Sequence, residues 1–260
     1  LNLLRVDILL KTQETRREKR KVKTAMEEEI TTILTSPKLA TIKAMLEKDH
    51  AIDCLFLLLM GKGRWKDAKA YMNRHNVIEK HMAMVAVKNI TNAAKNPYAH
   101  RKMPDLSVKE VMGSKLLCAP IRELTMSPPS DGACALILAS EDKARKITDK
   151  PVWIEGVGTC QGSYLRDRDI ESLDSLQTAA RAAYKMAGIK DPLAELDVAE
   201  VSEKFAHEEL MIYEALGLCK NGQGKKLIEN GTTRKNGKLP VNPSGGALGA
   251  DPTCATGVIR

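Results

Sequence analysis

Aromatic residues, long apolar runs and paired cysteines are all scarce in this 260-residue sequence. Aromatics make up 3% of it, which argues against single-stranded nucleic-acid binding, because that activity uses aromatic stacking platforms interleaved with Lys and Arg. The longest apolar run, residues 54–60, is far shorter than the roughly 20 residues that a membrane-spanning helix needs. We therefore expect no membrane span and no nucleic-acid partner.

The six cysteines are far apart, form no CxxC pair and have no histidine-rich neighbourhood. This spacing predicts neither a zinc site nor a redox motif, so no metal is expected. No signal peptide is recognisable, so we expect a cytoplasmic protein with reduced thiols. Cys134 and Cys160 are predicted to be packing residues. Cys254 lies in a glycine-rich loop and has two interpretations, a buried small residue or a reactive thiol.

Positive charge is abundant and uneven. The formal net charge is +8, and residues 1–66 hold 14 Lys and Arg against 9 Asp and Glu, a balance of +5. A cationic surface suits polyanions of any kind, including nucleic acid, acidic membranes and cofactor phosphates, so charge alone selects none of them. Residues 1–65 are interpreted as an extra charged helical segment, and nucleic-acid binding by this segment is the weakest of three functional hypotheses.

Helical and strand-like patterns alternate after residue 66, which favours a layered α/β fold. Ser107 is a predicted helix cap, and Gly188 and Gly217 are predicted helix ends. The continuous apolar run 133–139 is typical of a strand covered on both faces. We predict helices at 67–75, 79–94, 108–113, 173–187 and 203–216, and strands at 133–139, 152–159 and 196–202.

A glycine-rich segment, residues 242–257, follows a strand-like stretch and precedes a helix start. Its glycines, among them Gly245 and Gly246 after Ser244, let main-chain N–H groups approach a substrate closely. The helix start supplies unpaired N–H donors for an oxyanion or a phosphate. A tight structural turn explains glycine and proline there equally well.

Four blocks follow one another in an order typical of one family. They are residues 86–99 with AVKN and NPYA, residues 119–133 with AP and SPPSDGA, residues 197–217 with DVAEV, Phe205 and YEALG, and residues 242–257 with NPSGG and ATG. These blocks resemble the thiolase superfamily, particularly its sterol-carrier-protein type and its bacterial and archaeal relatives. In that family the third block carries HDAF or NEAF and the fourth carries GHP.

The resemblance implies a thiolase-like, layered α-β-α-β-α architecture, here incomplete. Residues 66–150 would be the end of the family's N-terminal half, and residues 151–260 a truncated C-terminal domain. The implied reaction is Claisen condensation or thiolytic cleavage of a 3-ketoacyl-CoA. A coenzyme A thioester would be the substrate, with no bound cofactor. The implied partners are a second copy in a homodimer and a small zinc-ribbon/OB-fold protein.

The resemblance also implies roles for individual residues. Ser127 matches a serine that contacts the pantetheine arm of coenzyme A, and Phe205 matches a pocket-lining phenylalanine. Ser244, Gly245 and Gly246 would also bind substrate. The implied catalytic residues are Ser202, which stands where an Asn or His holds an oxyanion-hole water, and Asp251, which replaces the His of GHP.

Two departures from the family pattern leave catalysis open. Asp251 cannot donate a hydrogen bond as an imidazole does unless it is protonated. Ser202 is shorter than Asn or His. The family's nucleophilic cysteine precedes the matched region and a second catalytic cysteine follows it, so we expect a fragment of an acyltransferase. The second hypothesis is a non-catalytic thiolase-like subunit or scaffold. His207 is interpreted as a partly exposed surface histidine, with a substituted catalytic base as the alternative.

Overall fold

The computed structural model describes residues 67–161, 172–252 and 255–259. These residues belong to one compact unit, residues 61–260. The expectations for residues 1–65 and for Cys254 lie outside the described residues. None of the described helices has the length and apolar character needed to cross a bilayer.

Helices dominate the described part of the chain. The five predicted helices are confirmed, with starts and ends that shift by up to three residues. The helices are 67–75 (α1), Glu79–Ala93 (α2), Val108–Gly113 (α3), Glu141–Ile147 (α4), Asp174–Ala187 (α5), Pro192–Glu195 (α6), Ala206–Ala215 (α7), Gly224–Glu229 (α8), Gly246–Gly249 (α9) and Thr256–Ile259 (α10).

Helix α2 lies at the centre of the hydrophobic core and contacts α3, α7, α8 and α9. Its buried residues Met82, Val85 and Ile90 recur at helical spacing, which places them against these neighbours. The neighbouring helix α3 begins as predicted, because the Ser107 hydroxyl accepts a hydrogen bond from Glu110 N. The buried central helix α2 therefore packs against the glycine-rich segment through Ala93.

Helix α7 is buried along its whole length, including Glu208, Glu209 and Glu214. Buried carboxylates need hydrogen-bond partners inside the protein. The Glu208 carboxylate accepts from Lys204 N at 2.8 Å at the start of the helix. The Glu214 carboxylate accepts from Tyr71 Oη at 2.5 Å, and burial followed by this negative charge raises the pKa of Tyr71. The acidic helix is thus an internal element.

Strand pairing is sparse among the described residues. Leu116–Cys118 (β1) and Ile121–Arg122 (β2) form a two-stranded antiparallel sheet. Isolated bridges join Met126 with Phe205, Pro129 with Asp251, and Ala199 with Val241. Within the predicted strand 196–202, Ala199 alone forms a bridge, so the described residues show an isolated pairing there and no full strand. Helices and short strands together make a mixed α/β fold.

The predicted strands at 133–139 and 152–159 show no ladder pairing in the described ranges. The expected burial of the first is wrong, because Leu136, Ile137 and Leu138 are 69%, 90% and 69% exposed. An apolar run shows which side chains a strand could bury. Their burial also requires neighbouring strands and a covering layer of helices. Within the second segment, a Cβ on Gly156 or Gly158 would overlap carbonyl oxygens of α5, so this stretch runs directly along that helix.

Candidate active site

Asp251 is the centre of a polar cluster. Its side chain is buried and accepts hydrogen bonds from Ser127 Oγ at 3.3 Å and from Thr256 Oγ1 at 2.7 Å. Lys204 Nζ lies 3.9 Å from Asp251 Oδ2. The main chain is fixed as well, because Asp251 N donates to Ser130 Oγ at 3.1 Å. Two hydroxyl donors and one ammonium group suit a carboxylate that acts as an acceptor.

Ser127 and Phe205 are held side by side by main-chain pairing. Ser127 N donates to Lys204 O at 2.8 Å, and Met126 forms a bridge with Phe205. The Arg101 guanidinium donates to Met126 O at 2.6 Å, and burial lowers the pKa of Arg101. Ser127 therefore contacts the predicted catalytic Asp251, and Phe205 lies on the segment that pairs with the Ser127 segment.

Ser202 and Ser244 have different surroundings from this cluster. Ser202 is exposed, and the hydrogen bonds of the described residues do not connect it with Asp251. Ser244 is bound to Glu200, whose carboxylate accepts from Ser244 N at 2.9 Å and from Ser244 Oγ at 2.8 Å. The roles predicted for these two serines stay predictions.

The glycine-rich segment is held by close packing against α2 and by hydrogen bonds to protein groups. Gly245 has a φ of +113°, and a Cβ there would lie 2.5 Å from the Cβ of Ala93 in α2. Gly246 has a φ of +60°. Loop N–H groups that meet internal acceptors belong to Asn242, Ser244, Gly245, Leu248, Gly249, Ala250 and Asp251. This arrangement favours the structural-turn alternative for those N–H groups.

Beneath this segment lies a buried polar network. Asn89 Nδ2 donates to Glu203 Oε1 at 2.8 Å and to Glu209 Oε2 at 2.5 Å. Asn242 Nδ2 donates to Glu203 Oε2 at 2.7 Å and to Glu209 Oε2 at 2.9 Å. Lys88 Nζ lies 2.9 Å from Glu209 Oε1. Buried charges are tolerated when they are paired and hydrogen-bonded in this way.

The network also fixes the glycine-rich segment. Leu248 N donates to Glu203 Oε1 at 3.2 Å, and a Cβ on Gly246 would overlap the same oxygen. Tyr213 donates to Glu209, and its burial and this carboxylate raise the pKa of Tyr213 well above its usual value. Glycine is therefore required at position 246 by close approach as well as by its φ.

The interpretation of His207 as a partly exposed histidine is wrong. Its side chain is 0% exposed, and its ring centroid lies 5.8 Å from that of Phe205. The acidic neighbours of His207 suggested a solvated helix face, whereas their carboxylates are bound inside the protein.

Sequence reasoning also missed Lys204, Thr256 and the buried network, although Asn89 and Asn242 lie inside the blocks that carry the family resemblance.

The predicted packing roles of Cys134 and Cys160 are wrong, because both residues are exposed. They lie in or beside the two apolar segments that the described residues leave uncovered. Cys219 is different, since burial and then the charge of Glu214 raise the pKa of its thiol to about 12. The thiolate is the nucleophilic form, so the raised pKa predicts slow reaction of the Cys219 thiol at neutral pH.

We expect Cys219 to react about tenfold or more slowly with iodoacetamide at pH 8 than the exposed Cys118 and Cys160. Peptide mass spectrometry over a time course measures each rate. In urea, where burial is removed, Cys219 should be labelled as fast as the others. Equal rates in the folded protein would contradict the burial of this thiol.

Known proteins resemble most of the described region. A family model described as "Thiolase C-terminal domain-like" matches residues 156–260. The acetyl-CoA acetyltransferase of Methanothermobacter thermautotrophicus is 39% identical over 196 residues, which are 74% of this chain and 50% of that protein. The chain belongs to the thiolase superfamily. This superfamily membership confirms the resemblance drawn from the four sequence blocks.

Two further similarities extend the comparison within the thiolase superfamily. Bovine (Bos taurus) sterol carrier protein 2 is 35% identical over 200 residues, which are 74% of this chain and 36% of that protein. A solved structure named "Ltp2-ChsH2(DUF35) aldolase" is 25% identical with a TM-score of 0.68, and the match covers 77% of this chain and 55% of that chain. The chain thus has a thiolase-like α/β fold and spans about half the length, or less, of these curated relatives.

The described residues contain no group of His, Cys, Asp and Glu side chains that could hold a metal ion. The polar clusters instead bind their own protein groups. The groups that surround the Asp251 carboxylate are two hydroxyls and an ammonium group.

Proposed function

We propose that this chain handles coenzyme A thioesters as part of a thiolase-type acyltransferase. The reaction would be Claisen condensation or thiolytic cleavage of a 3-ketoacyl-CoA. The observation that carries this proposal is the meeting of Ser127 with Asp251, residues far apart in the sequence, in a chain of this superfamily. The coenzyme A thioester is the substrate, and no bound cofactor is needed for this chemistry.

Each candidate residue has a role in this proposal. In the condensation direction Asp251 accepts a proton from the substrate α-carbon, and its carboxylate is positioned for this by hydrogen bonds from Ser127 and Thr256. Ser127 and Phe205 line the adjoining wall, where the pantetheine arm would lie. Ser202 holds a water near the thioester.

The glycine-rich segment completes the substrate site. Ser244, Gly245 and Gly246 shape the far side of the loop through their contacts with Glu200, α2 and Glu203. This is a steric role, because most N–H groups of the loop are engaged internally.

The second candidate is a non-catalytic thiolase-like subunit or scaffold. Asp251 favours it, because a carboxylate cannot donate to an oxyanion as the histidine of GHP does. The internal hydrogen bonds of the glycine-rich segment favour it as well. A scaffold would keep the fold and a binding surface without turnover.

Thiolysis of acetoacetyl-CoA by the purified chain separates the two candidates. If the chain is catalytic, Asp251→Asn should lower kcat by about 100-fold, as loss of a general base does. Binding is measured in parallel by calorimetry with coenzyme A. Turnover by this chain alone would contradict the scaffold, and binding without turnover would contradict catalysis by this chain. Absence of binding would contradict both.

The remaining parts of the proposal concern assembly and architecture. We propose a cytoplasmic homodimer with a layered α-β-α-β-α arrangement, and a small zinc-ribbon/OB-fold partner. The named structural neighbour supports the idea of a partner, because its name joins two components, Ltp2 and ChsH2(DUF35). Size-exclusion chromatography with light scattering would measure the stoichiometry of the copies.

A further inference from the structure

Lys204 is a cation at the candidate site that the family resemblance does not account for. Its ammonium nitrogen lies 3.9 Å from Asp251 Oδ2, with side-chain exposures of 37% for Lys204 and 7% for Asp251. Its main chain is fixed, because Lys204 O accepts from Ser127 N at 2.8 Å. A partly exposed ammonium group therefore lies close to a buried carboxylate.

Two departures from the family motifs meet at this point. Lys204 occupies the third position of the block that reads HDAF or NEAF, where the family has alanine. Asp251 occupies the histidine position of GHP. The structure places the new cation beside the new anion. The pair therefore replaces an apolar residue and an imidazole with two opposite charges.

The hydrogen bonding of the pair distinguishes the two groups. Asp251 accepts from Ser127 and Thr256, so it has no donor to offer. The 3.9 Å separation between Lys204 Nζ and Asp251 Oδ2 is an ion pair without a hydrogen bond, so the pair does not consume the N–H donors of Lys204. An ammonium group carries three such donors. Lys204 can thus bind an oxygen that Asp251 would repel.

We infer that Lys204 is a catalytic residue that binds the thioester or enolate oxygen as negative charge develops on it. This inference rests on the proposed function. Asp251 anchors the ammonium group and takes the proton, while Lys204 supplies the N–H donor that the missing imidazole would have supplied. The Lys204 side chain is 37% exposed and lies 3.9 Å from Asp251 Oδ2, so water screens this pair and stability alone does not explain a lysine at this position.

The pH dependence of enolate formation by bound acetoacetyl-CoA tests this role without requiring turnover. A nearby cation favours the enolate, so bound ligand should enolise at lower pH than free ligand. Lys204→Met should move the midpoint up by about 1–3 pH units, the effect of one close charge. Asp251→Asn should move it down, because it removes the anion that partly neutralises Lys204.

Two further variants and two separate readouts complete the design. Lys204→Arg should retain most of the enolate stabilisation, and Lys143→Met, an exposed lysine on α4, should change nothing. Where the chain turns over, Lys204→Met should lower kcat by about 100-fold with a smaller effect on KM. Thermal unfolding should be the same for Lys204→Met and Lys143→Met.

The outcomes separate this inference from the proposed function. Calorimetric binding of acetoacetyl-CoA with the same enolate midpoint in Lys204→Met and wild type would overturn the role of Lys204 alone. No binding to the wild-type chain would overturn the proposed function and, with it, this inference. Opposite shifts in Lys204→Met and Asp251→Asn would support both.

Discussion

Replacement of Glu209 by glutamine should lower the free energy of unfolding by about 3–5 kcal/mol, the cost of breaking a buried ion pair on one side. Lys88, whose side chain is 5% exposed, would then lose the carboxylate 2.9 Å away. The new amide nitrogen would also face the donors of Asn89 or Asn242. Shape is kept in this variant, so the loss reports charge and hydrogen bonding.

Urea unfolding followed by circular dichroism measures this loss. Glu141→Gln is the matched control, because Glu141 pairs with Arg145 on an exposed helix surface with side-chain exposures of 65% and 63%. Its effect should stay below about 0.5 kcal/mol. If the two glutamine variants unfold at the same urea concentration, the network does not stabilise the fold.

Replacement of Gly246 by alanine should cost about 2–4 kcal/mol, from steric overlap and a strained φ. The new methyl group would overlap Glu203 Oε1 and lie 2.6 Å from Asn242 Nδ2 and 2.8 Å from Asn89 Nδ2. These three groups hold each other, so none can move without breaking a buried hydrogen bond. The φ of +60° adds backbone strain for any residue with a Cβ.

Gly113→Ala is the control for this variant, because a Cβ at Gly113 meets nothing within 4 Å. It should be neutral or stabilise by up to about 1 kcal/mol. Hydrogen exchange gives a local readout, since the Leu248 amide bonded to Glu203 should exchange faster in Gly246→Ala. Unchanged exchange together with unchanged unfolding would show that the loop and the network are independent.

The local features of the fold could be predicted from the sequence. Helix α3 spans Val108–Gly113 as predicted because the signal of its start, a serine followed by a glutamate, lies within four residues. Helix α5 ends at Ala187 because Gly188 adopts a φ of +75°. Caps and glycine ends depend on neighbouring residues, so no knowledge of the tertiary structure is needed.

The buried polar groups could not be predicted in the same way. Glu209 accepts a hydrogen bond from Asn89, a residue 120 positions away. The residues next to a glutamate in the sequence do not show whether its carboxylate has such a distant partner or faces solvent. His207 was misinterpreted for this reason. The family resemblance assigns separate roles to Ser127 and Asp251, but nothing in the local sequence indicates that these residues, 124 positions apart, contact each other. Lys204 was missed because its importance depends on that same contact.

The apolar segments at 133–139 and 152–159 determine how this protein must be handled in the experiments above. Ile137 and Val152 are 90% and 94% exposed, and Trp153 and Ile154 add further apolar surface. Exposed β-prone stretches of this kind promote self-association between unfolded or partly folded chains. Dilute protein and rapid refolding checks are therefore essential, because aggregation during unfolding would make stability comparisons between variants depend on concentration instead of on the buried network.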